Sequence, residues 1–469
     1  MAHLDPGHWQ DRLDTLAREH AVPGAAFGVL RLGRGDVPDD RLELATGVLH
    51  LGTGVTATPD SLFQVGSVTK VWTTTLLMTL VDEGRVDLDV PVREVLPEFR
   101  VADATASAGI TPRHLLAHTS GFDGDTFVDT GRGDDCLQRY VDGLVVNRQL
   151  FPPGAAWSYN NAGFAVAGRI AEHLLGTTWD AALRERVVEP LGLAATVTLP
   201  EEVLRFRAAL GHVEDDDGRW QPAPVWALPR SCGPAGMIIS SVSDQLAFAA
   251  AHLRGGILGD GSRAAMTALQ VQRVDHAGAE DANAWGLGWA LGVWGGTPVH
   301  GHNGNTIGQS AYLRLFPDIG LATVLLTNGG APDLLHQDLL TELLADVGVG
   351  APDTLEPGTG PAPVADQMIG TWEQASARLE VRREGVGLVL RHTDTSPFAE
   401  IGPDAVWERP LAPYADSVAL VQRPRSTSWS ALTHETTPAG LELLHLGWRA
   451  HTRVVAPIGQ GSSGRDAPP

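Results

Sequence analysis

Apolar residues recur at helical spacing in several stretches and alternate or run together in others, and the order of these two patterns sets the expected fold. Leu13, Leu16 and Ala17 mark an amphipathic helix near the start, closed by Pro23-Gly24. Short strand-like runs follow at 24–33 and 42–52. Helical spacing then dominates at 68–84, 160–176, 179–192 and 241–256, with a glycine stop at Gly84 and cap chemistry at Ser243. Strand-like runs return at 310–318 and 320–328, before a last helix at 333–348. Strands at both ends with helices between them predict an α+β layer fold, an α/β sandwich, whose terminal segments share one sheet. This first unit spans 1–348.

The pattern then changes. Residues 349–366, VGAPDTLEPGTGPAPVAD, are rich in Pro and Gly and read as an interdomain linker. From 367 to 458 helical periodicity is lost, and runs such as ARLEVRREG, VGLVLRH, VALVQR and LELLHLGW sit between turn residues. They predict a small all-β barrel domain. The tail 459–469 is expected to be disordered, and no internal repeat is evident.

Composition narrows the function. With 56 acidic against 34 basic residues the formal charge is −22, so a polyanion is repelled and neither nucleic acid nor an acidic membrane face is an expected partner. Cys136 and Cys232 permit at most one disulfide, which excludes a disulfide scaffold and clustered-cysteine zinc sites. No apolar run approaches the length of a membrane span. Charged residues interrupt the N-terminal stretch, which has no apolar signal core, so the expected location is the cytoplasm, with both thiols reduced.

One count changes the picture further. The 34 basic residues contain a single lysine, Lys70. A GC-rich genome accounts for the arginines but not for the exception. Guanidinium stays protonated in proteins, whereas a buried amine can be tuned to lose its proton. Lys70 lies in FQVGSVTK, three residues after Ser67, a spacing that puts both on one helix face. A neutral Lys70 could take the proton of Ser67, with the helix N-terminus favouring the charge that develops. The Gly-x-Ser-x-Gly elbow of a Ser-His-Asp hydrolase is absent.

Such a pair needs a proton carrier and an oxyanion site. WSYNNAGF offers Tyr159, Asn160 and Asn161 at the head of an apolar helix. VHGHNGNTIGQSAYLRLF holds His300, His302, Asn303, Gly304 and Asn305 before an apolar strand, where glycines permit close approach to a ligand. The backbone N–H groups of Ser67 and Asn305 form a candidate oxyanion hole.

Taken in order, Ser67-x-x-Lys70, Tyr159-x-Asn161 and His302-x-Gly304 resemble the serine β-lactamase and penicillin-binding-protein superfamily, and HLLAHTSGF (114–122) is similar to a stretch of its class C-like members. The resemblance covers roughly residues 10–348. It implies an antiparallel sheet flanked by helices with a helical subdomain, a cleft active site, an acyl-Ser67 intermediate, and neither metal nor cofactor. It also implies catalytic roles for Ser67, Lys70, Tyr159, Asn161 and His302, with Gly304 against the substrate. The second unit resembles the lipocalin-like domain of some relatives. Many members carry Lys-Thr-Gly in the third motif; here a partly charged His302 replaces that lysine. The lack of Ser-Asp-Asn argues against a class A β-lactamase.

In LGWRAHTR, Arg449 or Arg453 could reach over the cleft, and Arg449 is the candidate for holding a substrate carboxylate in a forked hydrogen bond. The acidic run Asp215–Asp217 reads as a solvated turn rather than a calcium loop, and 230–240 is assigned no chemistry. The expected activity is acyl transfer through Ser67 from a small-molecule or peptidyl amide, ester or thioester, including a thioester borne by a carrier protein. Release by peptide cyclisation is favoured. A D-stereospecific peptidase or esterase is the alternative, and a non-catalytic ligand-binding relative is the reading of another class.

Overall fold

The computed structural model describes residues 4–33, 35–272, 283–352, 355–358, 366–401, 404–424, 426 and 428–454. The tail 459–469 and linker residues 353–354 and 359–365 lie outside them.

The two ends of the first unit do share a sheet. Its nine antiparallel strands run in the order Val55–Thr56, Asp40–His50, Gly24–Arg31, Leu321–Thr327, Ser310–Phe316, Thr297–Asn305, Ala290–Trp294, Ala284–Trp285 and Val271–Gln272. Strands Gly24–Arg31, Ser310–Phe316 and Leu321–Thr327 are buried almost throughout because both faces are covered. Ala25, Phe27 and Val29 face the helices Pro6–Glu19 and Pro332–Val347 through Leu13, Leu335 and Leu339. Ala26 and Leu30 face the larger core that holds Trp72, Leu76, Leu246 and Phe248. Gly28 lies on this second face, where a methyl group would stand 2.7 Å from Val242 Cγ2. Glycine is what lets the helix Val242–Arg254 settle onto the sheet.

Three boundaries differ from the sequence pattern. The helix expected at 68 begins at Thr69, after a tight 3-10 turn Gly66–Val68. The cap of Val242–Arg254 is Ser241, whose hydroxyl accepts from the Asp244 N–H; Ser243 lies inside the first turn. The stretch 179–192 is helical only over Trp179–Leu183 before a π turn, Arg184–Val188. Asp215–Asp217 lies at the turn between the paired strands His212–Glu214 and Trp220–Pro222.

A second antiparallel sheet of nine strands forms a nearly closed barrel around Trp372, Leu379, Leu390, Leu432 and Leu444. Its first strand, Gly370–Gln374, pairs with its last, Arg449–Arg453. The edge strands Val406–Pro410 and Ala412–Ala415 are consecutive in the chain. The barrel sits directly on the first unit. Leu443 and Ala450 pack with Leu150, Phe151 and Ala156, Trp448 O accepts from the Tyr159 N–H at 2.8 Å, and Ser158 Oγ accepts from the Ala450 N–H at 3.1 Å. Among the described residues no helix is long and apolar enough to cross a membrane.

The helix Thr69–Asp82 is held by a face-to-face stack of Trp72 on Phe248, with centroids 3.8 Å apart. Trp72→Ala should lower stability by about 3–5 kcal/mol, read as a lower urea midpoint, because a fully buried ring is lost between two helices.

Candidate active site

Gly66 has φ +51°, a conformation that glycine adopts without strain, and the turn it makes presents Ser67 at the head of the helix. One turn on, Lys70 is 0% exposed. Its Nζ donates to Ser67 Oγ at 3.0 Å and to the Ala235 carbonyl at 2.7 Å. Burial is the largest cause holding the Lys70 pKa well below its ordinary value, and the Arg449 charge adds to it, while Asp125 and Cys232 oppose. The surroundings therefore favour the neutral amine over the ammonium. The segment 230–240, to which the sequence assigned no chemistry, lines the site: besides Ala235, Pro234 O accepts from Thr73 at 2.7 Å.

Tyr159 lies beside the pair, its ring centroid 4.9 Å from Lys70 Nζ. Burial pushes its hydroxyl well up, against a hydrogen bond with Ser67 and the Arg449 charge, so it keeps its proton. The loop that carries it is fixed by His118, which sequence reading had not singled out. His118 Nδ1 accepts from the Asn160 N–H at 2.9 Å and its ring stacks on Tyr159 at 4.3 Å. Asn160 Nδ2 donates to Phe122 O at 2.7 Å. The family-like stretch 114–122 thus acts as a brace under Tyr159.

The strand Thr297–Asn305 meets the Ser67 turn edge-on. A methyl on Gly304 would stand 2.8 Å from Ser67 N and collide with the Val65 carbonyl, and one on Gly66 would stand 2.6 Å from Asn305 N. The two peptide nitrogens expected as oxyanion donors therefore belong to one close contact, and Ser67 and Asn305 line one cavity of about 60 Å³ with Asn161, Tyr140 and Cys232. His302 is 1% exposed, and burial with the nearby Lys70 pushes it to about 3. It is neutral rather than partly charged. Its Nδ1–H donates to Asn303 O at 2.6 Å, which leaves Nε2 as a bare acceptor.

Asn161 and Arg449 meet at a residue that no sequence motif marks. Asp125, 5% exposed, accepts from Asn161 Nδ2 at 2.7 Å, from Ser376 Oγ at 2.9 Å, and from Arg449 Nε and Nη2 at 2.8 and 3.3 Å. The Arg449 fork is therefore filled by Asp125, and the guanidinium lies 4.9 Å from the Tyr159 centroid. Arg449, with the hydrogen bonds to Arg449, Ser376 and Asn161, keeps Asp125 low despite its burial. Neighbouring Asp123 is pushed up to about 6 by burial and by the Asp125 charge. Arg453 turns elsewhere, to Glu442 and the Trp372 ring.

The site thus sets a buried amine against a serine hydroxyl at a helix head, beside a tyrosine and facing a strand edge, on a sheet-and-helix scaffold. The β-lactamase family model matches residues 9–346, and the chain belongs to that family. Penicillin-binding protein 4 of Amycolatopsis lactamdurans is 48% identical over 382 residues, covering 79% of this chain and 98% of that protein. The crystal structure of SurE superposes with a TM-score of 0.76 at 28% identity, covering 96% of this chain and 99% of that one. A D-stereospecific amidohydrolase from Streptomyces sp. superposes with a TM-score of 0.58 at 27% identity, covering 72% and 99%.

Two outcomes are expected. Asp125→Asn leaves the half-buried Arg449 guanidinium uncompensated and should cost about 1–3 kcal/mol of stability; adding Arg449→Gln should recover much of it, as a double-mutant cycle by urea unfolding would show. Acid should also destabilise the fold through its histidines. His252, His302 and His451 are pushed to about 3 and His300 and His392 to about 4, chiefly by burial. The unfolded chain binds their protons near 6.5, so it holds more protons below that pH. Stability is full above about 6.5 and declines as pH falls toward the folded values, which urea midpoints between pH 8 and 4 would record.

Proposed function

We propose that the chain is a serine acyltransferase and hydrolase that works through an acyl-Ser67 intermediate. The observation that carries this reading is the 3.0 Å contact between Ser67 Oγ and the buried amine of Lys70. Neutral Lys70 takes the proton of Ser67 as Oγ bonds to the substrate carbonyl carbon. The N–H groups of Ser67 and Asn305 hold the oxyanion. The C–X bond breaks as the Tyr159 hydroxyl gives its proton to the leaving amine, alcohol or thiol, and Lys70 ammonium replaces that proton. Water or an amine then attacks the acyl carbon by the same route in reverse. His302, with a bare Nε2, is the wall behind Tyr159 rather than the donor. Asn161, fixed by Asp125, faces the substrate carbonyl.

We infer a peptidyl substrate whose acylated residue has the D configuration. SurE has been crystallised with D-Leu, and the Streptomyces amidohydrolase is D-stereospecific. We favour transfer to an amine over hydrolysis, with a carrier-bound thioester as donor and peptide cyclisation as the outcome. The barrel residues Trp448 and Arg449 cover Tyr159 and restrict water at the acyl group. A D-stereospecific amidase or esterase is the second reading, supported by the likeness to the amidohydrolase and to esterase EstB of Burkholderia gladioli, 28% identical over 374 residues.

Intact-mass analysis after a fluorophosphonate should show one adduct on the wild type and none on Ser67→Ala; an unmodified wild type would refute the acyl-enzyme and favour a ligand-binding relative. A D-leucyl thioester with and without added amine then separates transfer from hydrolysis. The rate of fluorophosphonate labelling should rise with pH along a limb well below the ordinary lysine value, because only the neutral amine is a base. Arg449→Gln should move that limb to higher pH, since the Arg449 cation helps hold Lys70 unprotonated.

A further inference from the structure

The cavity at Ser67, about 60 Å³, is too small for more than the reacting end of a peptide; a single water occupies about 30 Å³ of liquid. Phe127, which lines this first cavity, also lines a second cavity of about 280 Å³. Asp125 and Phe127 form one side of it, and the barrel supplies the other through His392, Ser396, Trp407 and Arg449. The size approaches that of small-molecule sites, about 300 Å³ and upward.

Its wall chemistry selects a class of occupant. His392 and Trp407 stack at 4.9 Å with planes 8° apart, making a flat aromatic surface. Phe127 meets Phe398 edge-on at 5.2 Å. Asp125 and Arg449 pair in their own fork, Asp394 and Arg423 also line the cavity so that its lining carries both signs in balance, and burial keeps His392 neutral. Such a wall offers a ring surface and hydrogen-bonding groups with no net charge among them, and against the rings it disfavours a charge that would have to leave water.

We propose that this cavity is a second substrate subsite, which takes the uncharged peptide segment preceding the acylated residue and lays an apolar or aromatic side chain against Trp407. The proposal rests on the acyl-Ser67 reading for the direction in which the peptide runs. The barrel then does more than cover the site: it reads the peptide.

The test compares two probes, the p-nitrophenyl esters of acetyl-D-Leu and acetyl-Gly-Phe-D-Leu. In the wild type kcat/KM for the peptide ester should exceed that for the single-residue ester by about tenfold or more, the range of one well-filled apolar pocket. Ser396→Trp, which fills the cavity, and Trp407→Ala, which removes its wall, should erase that preference and leave the single-residue ester unchanged. Replacing Phe by Glu in the peptide should erase it in the wild type. Equal rates for the two esters in the wild type, or variants that leave the preference intact or lower both esters alike, would overturn the proposal. Calorimetry of acetyl-Gly-Phe-D-Leu amide on Ser67→Ala separates the two readings, since it needs no chemistry. Binding that weakens in both cavity variants, with no acyl adduct on the wild type, would refute the acyl-Ser67 reading alone. An adduct with amide binding indifferent to the cavity variants would refute the subsite alone.

Discussion

A primary amine taken wholly out of water gives up its proton unless a counter-charge is near, and the site around Lys70 is arranged so that the nearest charges do not rescue it. Its polar contacts are an alcohol and a peptide carbonyl. The nearby cation, Arg449, works against protonation, while the carboxylate that could favour it, Asp125, is engaged in a fork with that same arginine. A guanidinium could not serve here, because it would stay charged under the same desolvation. That physical distinction fits the position of Lys70 as the single lysine among 34 basic residues.

The parts that surround this amine come from distant places in the chain. The helix beginning at Thr69 provides the amine, the loop before Asn161 provides Tyr159, and the strand Thr297–Asn305 provides the edge beside Ser67. Asp125 ties these to the barrel by accepting from Asn161, Ser376 and Arg449 at once. A carboxylate with so many donors is rigid, and it orders the side chains that point to it. The site is thus composite, with its electrostatics divided between two sheets.

Much of this was legible in the sequence because it depends on local spacing. Ser67 and Lys70 lie one helical turn apart, and Tyr159 and Asn161 flank a helix start, so periodicity and cap chemistry locate them. The sharing of one sheet by the two ends of the first unit followed from the order of strand-like and helical runs. What was not legible depends on encounters between remote segments. His118 looks like any histidine after a short helix until its ring is seen beneath Tyr159. Asp125 has no pattern around it, and its importance arises from burial against a residue more than three hundred positions away. The charge state of His302 differs from the sequence expectation for a related reason: sequence shows the imidazole but not the loss of solvent that neutralises it.

The pairing of strand Gly370–Gln374 with strand Arg449–Arg453 has a consequence for how the molecule comes into being. During synthesis the serine, the amine and the tyrosine are all made, and their sheet can close, before the ribosome reaches Arg449. Until Trp448 and Arg449 are made, Tyr159 lacks the cover they provide. The cluster around Asp125 therefore reaches its full set of donors only with the final strand of the barrel.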